Sequence, residues 1–566
     1  MSFSIQKDPY LIDFLNSLPS SIINNNKLTQ TNFSDKTNSF SVNTTDAYLF
    51  CNGVGITVTL PNPTLNINRN LIFTNRSANQ VNSNLNISYV DSTGSILTTT
   101  VLLSASVGSW CQLVSNGISW FMVSQKLSNG TPFTFTIDTT QTSSGSTSST
   151  QFKLPLVSTG KYDFLVDWGD GYKSKINQYN QKEITHTYLS SGSKTINITG
   201  LCNGFCFNNT GDKLKLSTIS QWGTHFRLGR NEGGYFYGCS NLNVTAVDTL
   251  NLTGTKNLSS CFRDCSNFNS TVSGWNTASV TNMSYMFSGA LIFNNGDAEG
   301  LSTKPLNWNT SSVIDMSYMF NSVYAFNQAI GTWNTSLVTN MSYMFQSAIT
   351  SSFNQYISNW NTSLVTDMSH MFDNAYVFNN GDTTNIYSKP LNWNTSSVTN
   401  MNNMFHLAGA FNQYIGTWNT SQVTDMSYMF GGATVFNNGD APPPTITTKP
   451  LLWNTSKVTT MRYMFQNAIA FKQDISNWIP SSCTDMISMF TGDMNSPNSA
   501  TNQNNYNALL VSWGITNIAL LKNLVTFRGG SSKYTLASAG ATGRANLINS
   551  VASGGKGWTI TDGGGK

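Results

Sequence analysis

The chain has 566 residues, 39% hydrophobic and only 10% charged, with a formal net charge of +4. That length is several times a usual domain, so three or more folded units are expected, and the near-neutral balance argues against a nucleic-acid or anionic-membrane partner. No stretch approaches the roughly 18–20 apolar residues of a membrane span. The amino terminus, MSFSIQKDPYLIDFLNSLPSS, lacks the basic and apolar regions of a secretory signal, so a soluble product made in the cytoplasm is expected.

Residues 1–40 read as an anchoring segment: a short amphipathic helix around Tyr10 to Leu18, then a polar linker expected to order on assembly. Over 41–127, GITVTLPNPTLNINRNLIFTN, LNISYVDSTG and SWCQLVSNGISWFMVSQ read as closely spaced short strands with turn residues between them. The Val58 to Pro61 strand and the Asn116-Gly117-Ile118-Ser119-Trp120 stretch resemble the small β-domains of viral and phage fibre or virion proteins. That resemblance implies assembly with other particle proteins and a homotrimer, which would cover exposed strand edges.

Over 128–200, Phe133-Thr-Phe-Thr-Ile137 and Thr195-Ile-Asn-Ile-Thr199 alternate at the strand period. YDFLVDWGDGYKS from Tyr162, ITHTY ending at Tyr188 and KTINITG from Lys194 resemble the immunoglobulin-like module of the polycystic kidney disease (PKD) type, although the commoner form reads WDFGDG. Asp167 and Asp170 flank Trp168-Gly169. The Asp-Gly at 170 and 171 favours a hairpin turn over a calcium site, which would want further oxygen ligands.

The segment 201–490 is repetitive. Met-x-x-Met-Phe recurs eight times, closing on Met286 and Phe287, Met319 and Phe320, Met344 and Phe345, Met371 and Phe372, Met404 and Phe405, Met429 and Phe430, Met464 and Phe465, and Met489 and Phe490. A tryptophan precedes each, at Trp275, Trp308, Trp333, Trp360, Trp393, Trp418, Trp453 and Trp478, so the base period is about 25 with insertions. Two weaker copies place Phe236 and Phe262 in the phenylalanine slot. Three insertions resemble one another, each opening Phe-Asn-Asn-Gly-Asp at Phe293, Phe378 and Phe436, and are expected to bulge from one face.

The methionine slots call for flexible apolar filling between coils rather than a metal-binding or oxidation-sensing array. Cys239, Cys261, Cys265 and Cys483 fall on apolar positions of the register and read as buried thiols. I-x-x-W-N-T-S-x-V-T-x-M-x-x-M-F-x-x-A-x-x-F-N-Q, as at Ile415 to Trp418, Val423, Met426, Met429 and Phe430, resembles the repeat of BspA-like leucine-rich repeat surface proteins. The resemblance implies a leucine-rich-repeat-like solenoid with one short strand per coil at Ile-x-x-Trp, and adhesion rather than catalysis. YNALLVSWG, LVTFRGGSSKYT and GWTITDGG, within 491–566, resemble the closing segment of such proteins; a cap is needed to cover the last coil's apolar face.

Catalytic candidates are sparse. His186, His225, His370 and His406 sit at no recognisable motif spacing. Asp315, Asp367, Asp425 and Asp485 share one slot with Asn, which suits a turn or hydrogen-bonding ladder better than a catalytic acid. The expected fold is mainly β: an N-terminal β-domain, an immunoglobulin-like module, a solenoid and a cap. The expected function is non-enzymatic, with no cofactor or metal: a virion or particle surface protein that decorates the particle or attaches to a host protein or glycan. A cell-surface adhesin exported unconventionally and a capsid cement protein are the alternatives.

Overall fold

The computed structural model describes residues 33–42, 48–51, 54, 56–66, 70–75, 80–90, 96–103, 110–115, 120–126, 130–229, 231–347, 352–384, 387–441, 448–492, 494 and 505–566. The protein is mainly β. The helix expected around Tyr10 to Leu18 and the 116–119 turn lie outside these residues.

The N-terminal strands form one nine-stranded mixed sheet from Phe33 to Lys126. It begins earlier than the expected boundary, because Phe33–Lys36 pairs in parallel with Tyr48–Cys51. Leu49, Val58, Phe73, Ile87, Leu113 and Trp120 form its separate core. Two stretches singled out in the sequence meet there: the indole Nε1 of Trp120 donates to the Pro61 carbonyl at 2.8 Å.

The second sheet is built on the alternating strand Phe133–Asp138, whose two edges pair antiparallel with Ser193–Phe205 and Leu216–Gln221. The boundary expected at 200 therefore moves. Ser193–Phe205 runs through it, and Leu216–Gln221 pairs in parallel with Asn243–Val244 of the first coil. Aromatic packing crosses the same junction, Trp222 lying 6.4 Å from Trp275. A single buried core runs from Phe133 to Trp558.

From Phe236 onward the chain stacks coil upon coil. Phe236 lies 5.3 Å from Phe262, and Phe262 lies 5.9 Å from Phe287, so both degenerate copies hold the register. Parallel bridges join Asn257, Asn282, Asp315, Asn340, Asp367, Asn400, Asp425, Thr460 and Asp485 in succession. This corrects the strand expected at Ile-x-x-Trp. The Trp333 and Trp418 amides donate back to Ile330 and Ile415 within their own coil, and so are spent before a neighbour can use them.

Pairing runs instead through Met-x-x-Met-Phe. The amides of Met283, Tyr285, Phe287 and Gly289 donate to carbonyls of Asp315, Ser317, Met319 and Asn321 in the next coil, while Met286, Ser288 and Ala290 close i to i+3 turns. The amides of Phe320, Phe345 and Phe465 likewise donate to the carbonyls of Met344, Met371 and Met489, each one coil on. Every second amide thus links coils and the others fold the coil.

Beyond the last repeat the ladder continues: Asp485–Phe490, Thr526–Gly529 and Thr559–Thr561 form a parallel three-stranded sheet. Helices Asn505–Val511 and Ala539–Ile548 pack against each other, and Tyr506 of the first lies 6.5 Å from Phe527 of that sheet. Trp513 extends the indole series, its Nε1 donating to the Trp478 carbonyl.

Candidate functional site

The coil interior is filled by the residues that define the repeat. All sixteen methionines of the two slots are fully buried, and the eight tryptophans are at most 6% exposed. Neighbouring indoles stack 5.7 to 6.4 Å apart, and those from Trp308 to Trp478 donate Nε1 to a carbonyl of the preceding coil, as Trp308 does to Val272 at 2.9 Å. The slot phenylalanines stack 5.2 to 5.9 Å apart. Phe320 lies 5.7 Å from Phe345, and Phe430 lies 5.5 Å from Phe465. The Phe293, Phe326 and Phe353 series stacks beside them. These side chains make the core and leave nothing for solvent. Burial likewise pushes the Cys239, Cys261 and Cys265 thiols well above the usual range, away from reactive thiolate.

The expected insertions also carry structure inside them. Asn294, Asn295 and Asp297 are buried, and Asp297 accepts from the Thr303 amide and hydroxyl and from Gln328 Nε2. Asp382 with Gln413, and Asp440 with Gln473, repeat the arrangement. The Phe-Asn-Asn-Gly-Asp opening is a clamp that fastens each insertion to the coils. Only the tip, such as Glu299 and Leu301, faces solvent.

In the second sheet Asp167 pairs with Lys173 at 3.0 Å and accepts from the Gly169 amide, while Asp170 accepts from His186 Nε2 at 2.7 Å. His186 stacks on Trp168. Both carboxylates are thus committed to protein donors, as a hairpin turn requires.

The bridge slot alternates along the stack: Asn282, Asp315, Asn340, Asp367, Asn400, Asp425, Thr460, Asp485. Adjacent strands lie ~4.8 Å apart, so alternation sets the carboxylates ~10 Å from one another, beyond the Debye length of ~8 Å in physiological salt. Carboxylates on every coil would repel directly. The slot's chemistry is local, each side chain receiving the amide two residues on, as Asp315 does from Ser317 at 2.9 Å and Asn340 from Ser342 at 3.0 Å.

What the stack offers outward is a row of aromatic edges. Tyr285, Tyr318, Tyr343 and His370 stack face to face at 4.2 to 4.3 Å, with the Arg263 guanidinium over Tyr285. Asn403 interrupts the row, and Tyr428 and Tyr463 resume it at 4.6 Å. Every residue in this slot has positive φ, 57° at Tyr285 and 52° at Asn403. An L-residue pays roughly 1–2 kcal/mol there and Asn pays least, while an aromatic pair returns about 0.5–1.5 kcal/mol. Folding alone therefore gives tyrosine no clear advantage over asparagine.

A second, polar row runs beside the first. Ser288 donates to Asn321, Asn321 to Gln346 at 2.8 Å and Gln346 to Asp373 at 3.3 Å. Both rows end on Asp373, whose carboxylate takes Nδ1 of His370 and Nδ1 of His406, each at 2.8 Å, and the side-chain Nδ2 of Asn374 at 2.9 Å. Its side chain is only 7% exposed. Burial pushes this carboxyl up, but the hydrogen bonds and charges of the two histidines outweigh burial and hold it below its ordinary value. The ionised carboxylate can only accept, so both imidazoles donate from Nδ1.

His370 and His406 are thus brought together although 36 residues apart. Aligning the coils on Phe372 and Phe405 gives the signal, since Asp373 and His406 occupy the same slot one coil apart. With its folded pKa lowered, Asp373 contributes stability at neutral pH that is lost as pH falls through the carboxylate range. The backbone amide of Asn374, which donates to the His406 carbonyl, is expected to lose hydrogen-exchange protection on acidification, by about 1–3 kcal/mol. Asp373→Asn should show that loss already at pH 7 and remove its pH dependence; unchanged exchange in the variant would refute the assignment.

No curated protein and no solved structure matches the chain. Residues 230–306, 297–389, 383–442 and 444–526 match the family described as Mycoplasma protein of unknown function, DUF285, in tandem over the coils likened above to BspA-like repeats. These matches cover more than half of the sequence, and the chain belongs to this family.

Proposed function

We propose that this is a non-enzymatic surface protein of a virion or similar particle. In this reading the sheet over 33–126 is a fibre-like domain that docks on other particle proteins and trimerises. The 130–221 sheet is a PKD-like module, and the coils form a capped, leucine-rich-repeat-like solenoid displayed for decoration or for attachment to a host protein or glycan. The observation that carries the reading is the tyrosine row: half-buried rings held at positive φ, where asparagine would serve the fold as well. A backbone strain retained where the rings still reach solvent favours a role in recognition. Two separate cores, one for the N-terminal sheet and one for everything after Phe133, favour an assembling part and a displayed part.

The test is adhesion of beads coated with the full chain to a panel of cell surfaces, beside beads carrying Tyr318→Asn with Tyr343→Asn. Asparagine suits the backbone, so melting should change by only a few degrees. Adhesion should fall at least tenfold through lost multivalent contacts. Adhesion that survives the double substitution, or a full chain that adheres to nothing, would overturn the attachment role.

A further inference from the structure

The 130–221 sheet carries a cleft that neither the repeats nor the tyrosine row explains. It measures about 610 Å³ and is lined by strands Gln151–Lys153 and Thr185–Thr187, by Leu156 and by the 179–184 turn. Its apolar surface comes from half-buried Leu156 and buried Ile184, and Tyr179, 41% exposed, stands at its side.

The turn that presents Tyr179 and Asn180 is held from within. Gln181 Oε1 accepts from the amides of Asn177 and Gln178 at 2.8 and 3.0 Å, and its Nε2 donates to the Lys175 carbonyl at 2.8 Å. A turn fixed before a ligand arrives loses less entropy on binding. Two exposed cations, Lys153 and Lys182, line the same cleft, and among the described residues neither ammonium has a partner. In a chain where only 10% of residues are charged, two unpaired lysines facing one cleft are a local excess of positive charge. The nearby carboxylate Glu183 is outside the lining and receives Gln181 Nε2.

We propose that this cleft binds an acidic sugar. The ring's apolar face would lie against Tyr179 and Leu156, hydroxyls would meet Asn180 and Thr185, and the carboxylate would be taken by Lys153 and Lys182. This combination of an apolar wall, a few convergent polar groups and complementary charge is what small-ligand sites share. A sialic acid and a uronic acid offer the same chemistry from different sources, a cell-surface glycan and a polysaccharide.

The full-length protein is titrated calorimetrically with N-acetylneuraminic acid, glucuronic acid and neutral glucose, and the titrations are repeated with Lys153→Gln combined with Lys182→Gln. The expected result is binding of at least one acid, none of glucose at the same concentration, and roughly tenfold or greater weakening in the double variant. Preference between the two acids assigns the source. Equal binding of glucose, no binding of either acid, or an unchanged affinity in the glutamine variant would overturn the proposal. Both lysines are exposed, so the variant should fold, which its unchanged melting would verify. Tyr318→Asn with Tyr343→Asn should leave the titrations unchanged, which separates failure of this site from failure of the attachment role.

Discussion

Replacing Lys215 with Met is expected to destabilise the 130–221 sheet by roughly 3–5 kcal/mol, the range for removing one partner of a buried ion pair. The Lys215 ammonium is completely buried, lies 3.1 Å from Asp212 Oδ1 and donates to the carbonyls of Thr147, Ser148 and Gln151 at 2.8 to 3.0 Å and to the Thr147 hydroxyl at 2.7 Å. Asp212 in turn accepts from the amides of Thr147 and Lys153. One lysine thereby fastens the 139–150 loop to the sheet edge and neutralises the carboxylate beneath it. Methionine would fill most of the volume yet supply no donor, leaving Asp212 as an uncompensated buried charge. Because a long stacked chain does not unfold in two states, the measurement is exchange at the Thr147 and Lys153 amides together with the first unfolding transition. A variant with wild-type exchange at both amides would show that the loop is held by something else.

This pair was not legible in the sequence, where Asp212 and Lys215 are an ordinary i, i+3 couple in a polar stretch. Their partners lie 59 to 68 residues away, and only the strand Leu216–Gln221, pairing with Phe133–Asp138, brings them to the loop. The repeat interior was legible for the opposite reason. Each coil places the same side chain at the same depth, so Trp, Met and Phe recur in sequence as they stack in space. Backbone pairing was misplaced at Ile-x-x-Trp because apolar periodicity marks which side chains face inward and says nothing of which amides are free. The ladder runs through Met-x-x-Met-Phe, where a tyrosine at positive φ re-aims alternate amides toward the next coil. The His370, Asp373 and His406 cluster was hidden by distance along the chain until the coil register placed the residues side by side. Phe-Asn-Asn-Gly-Asp reads in sequence as the opening of an insertion that bulges from one face, but its role as a clamp is not legible there, since nothing local tells that Gln328, a coil later, will donate to and bury Asp297.

Trp360→Ala carries the second large effect, about 3–5 kcal/mol for emptying a buried tryptophan site. Trp360 lies 6.4 Å from Trp333 and 6.2 Å from Trp393, and its Nε1 donates to the Ile330 carbonyl at 3.1 Å. Each coil of such a stack rests mainly on its neighbours, so the loss is local in origin. The amides that bridge the gap, Met341 to Asp367 and Met368 to Asn400, should lose exchange protection first, while those between Tyr428 and Arg462 keep theirs. Trp360→Phe separates packing from hydrogen bonding: the ring remains to stack, the Ile330 carbonyl loses the indole donor but keeps the Trp333 amide, and the expected loss falls to about 0.5–1.5 kcal/mol. Protection that collapsed equally in every coil after Trp360→Ala would mean the stack unfolds as one cooperative body. The register of tryptophans would then be coupled over its whole length rather than coil by coil.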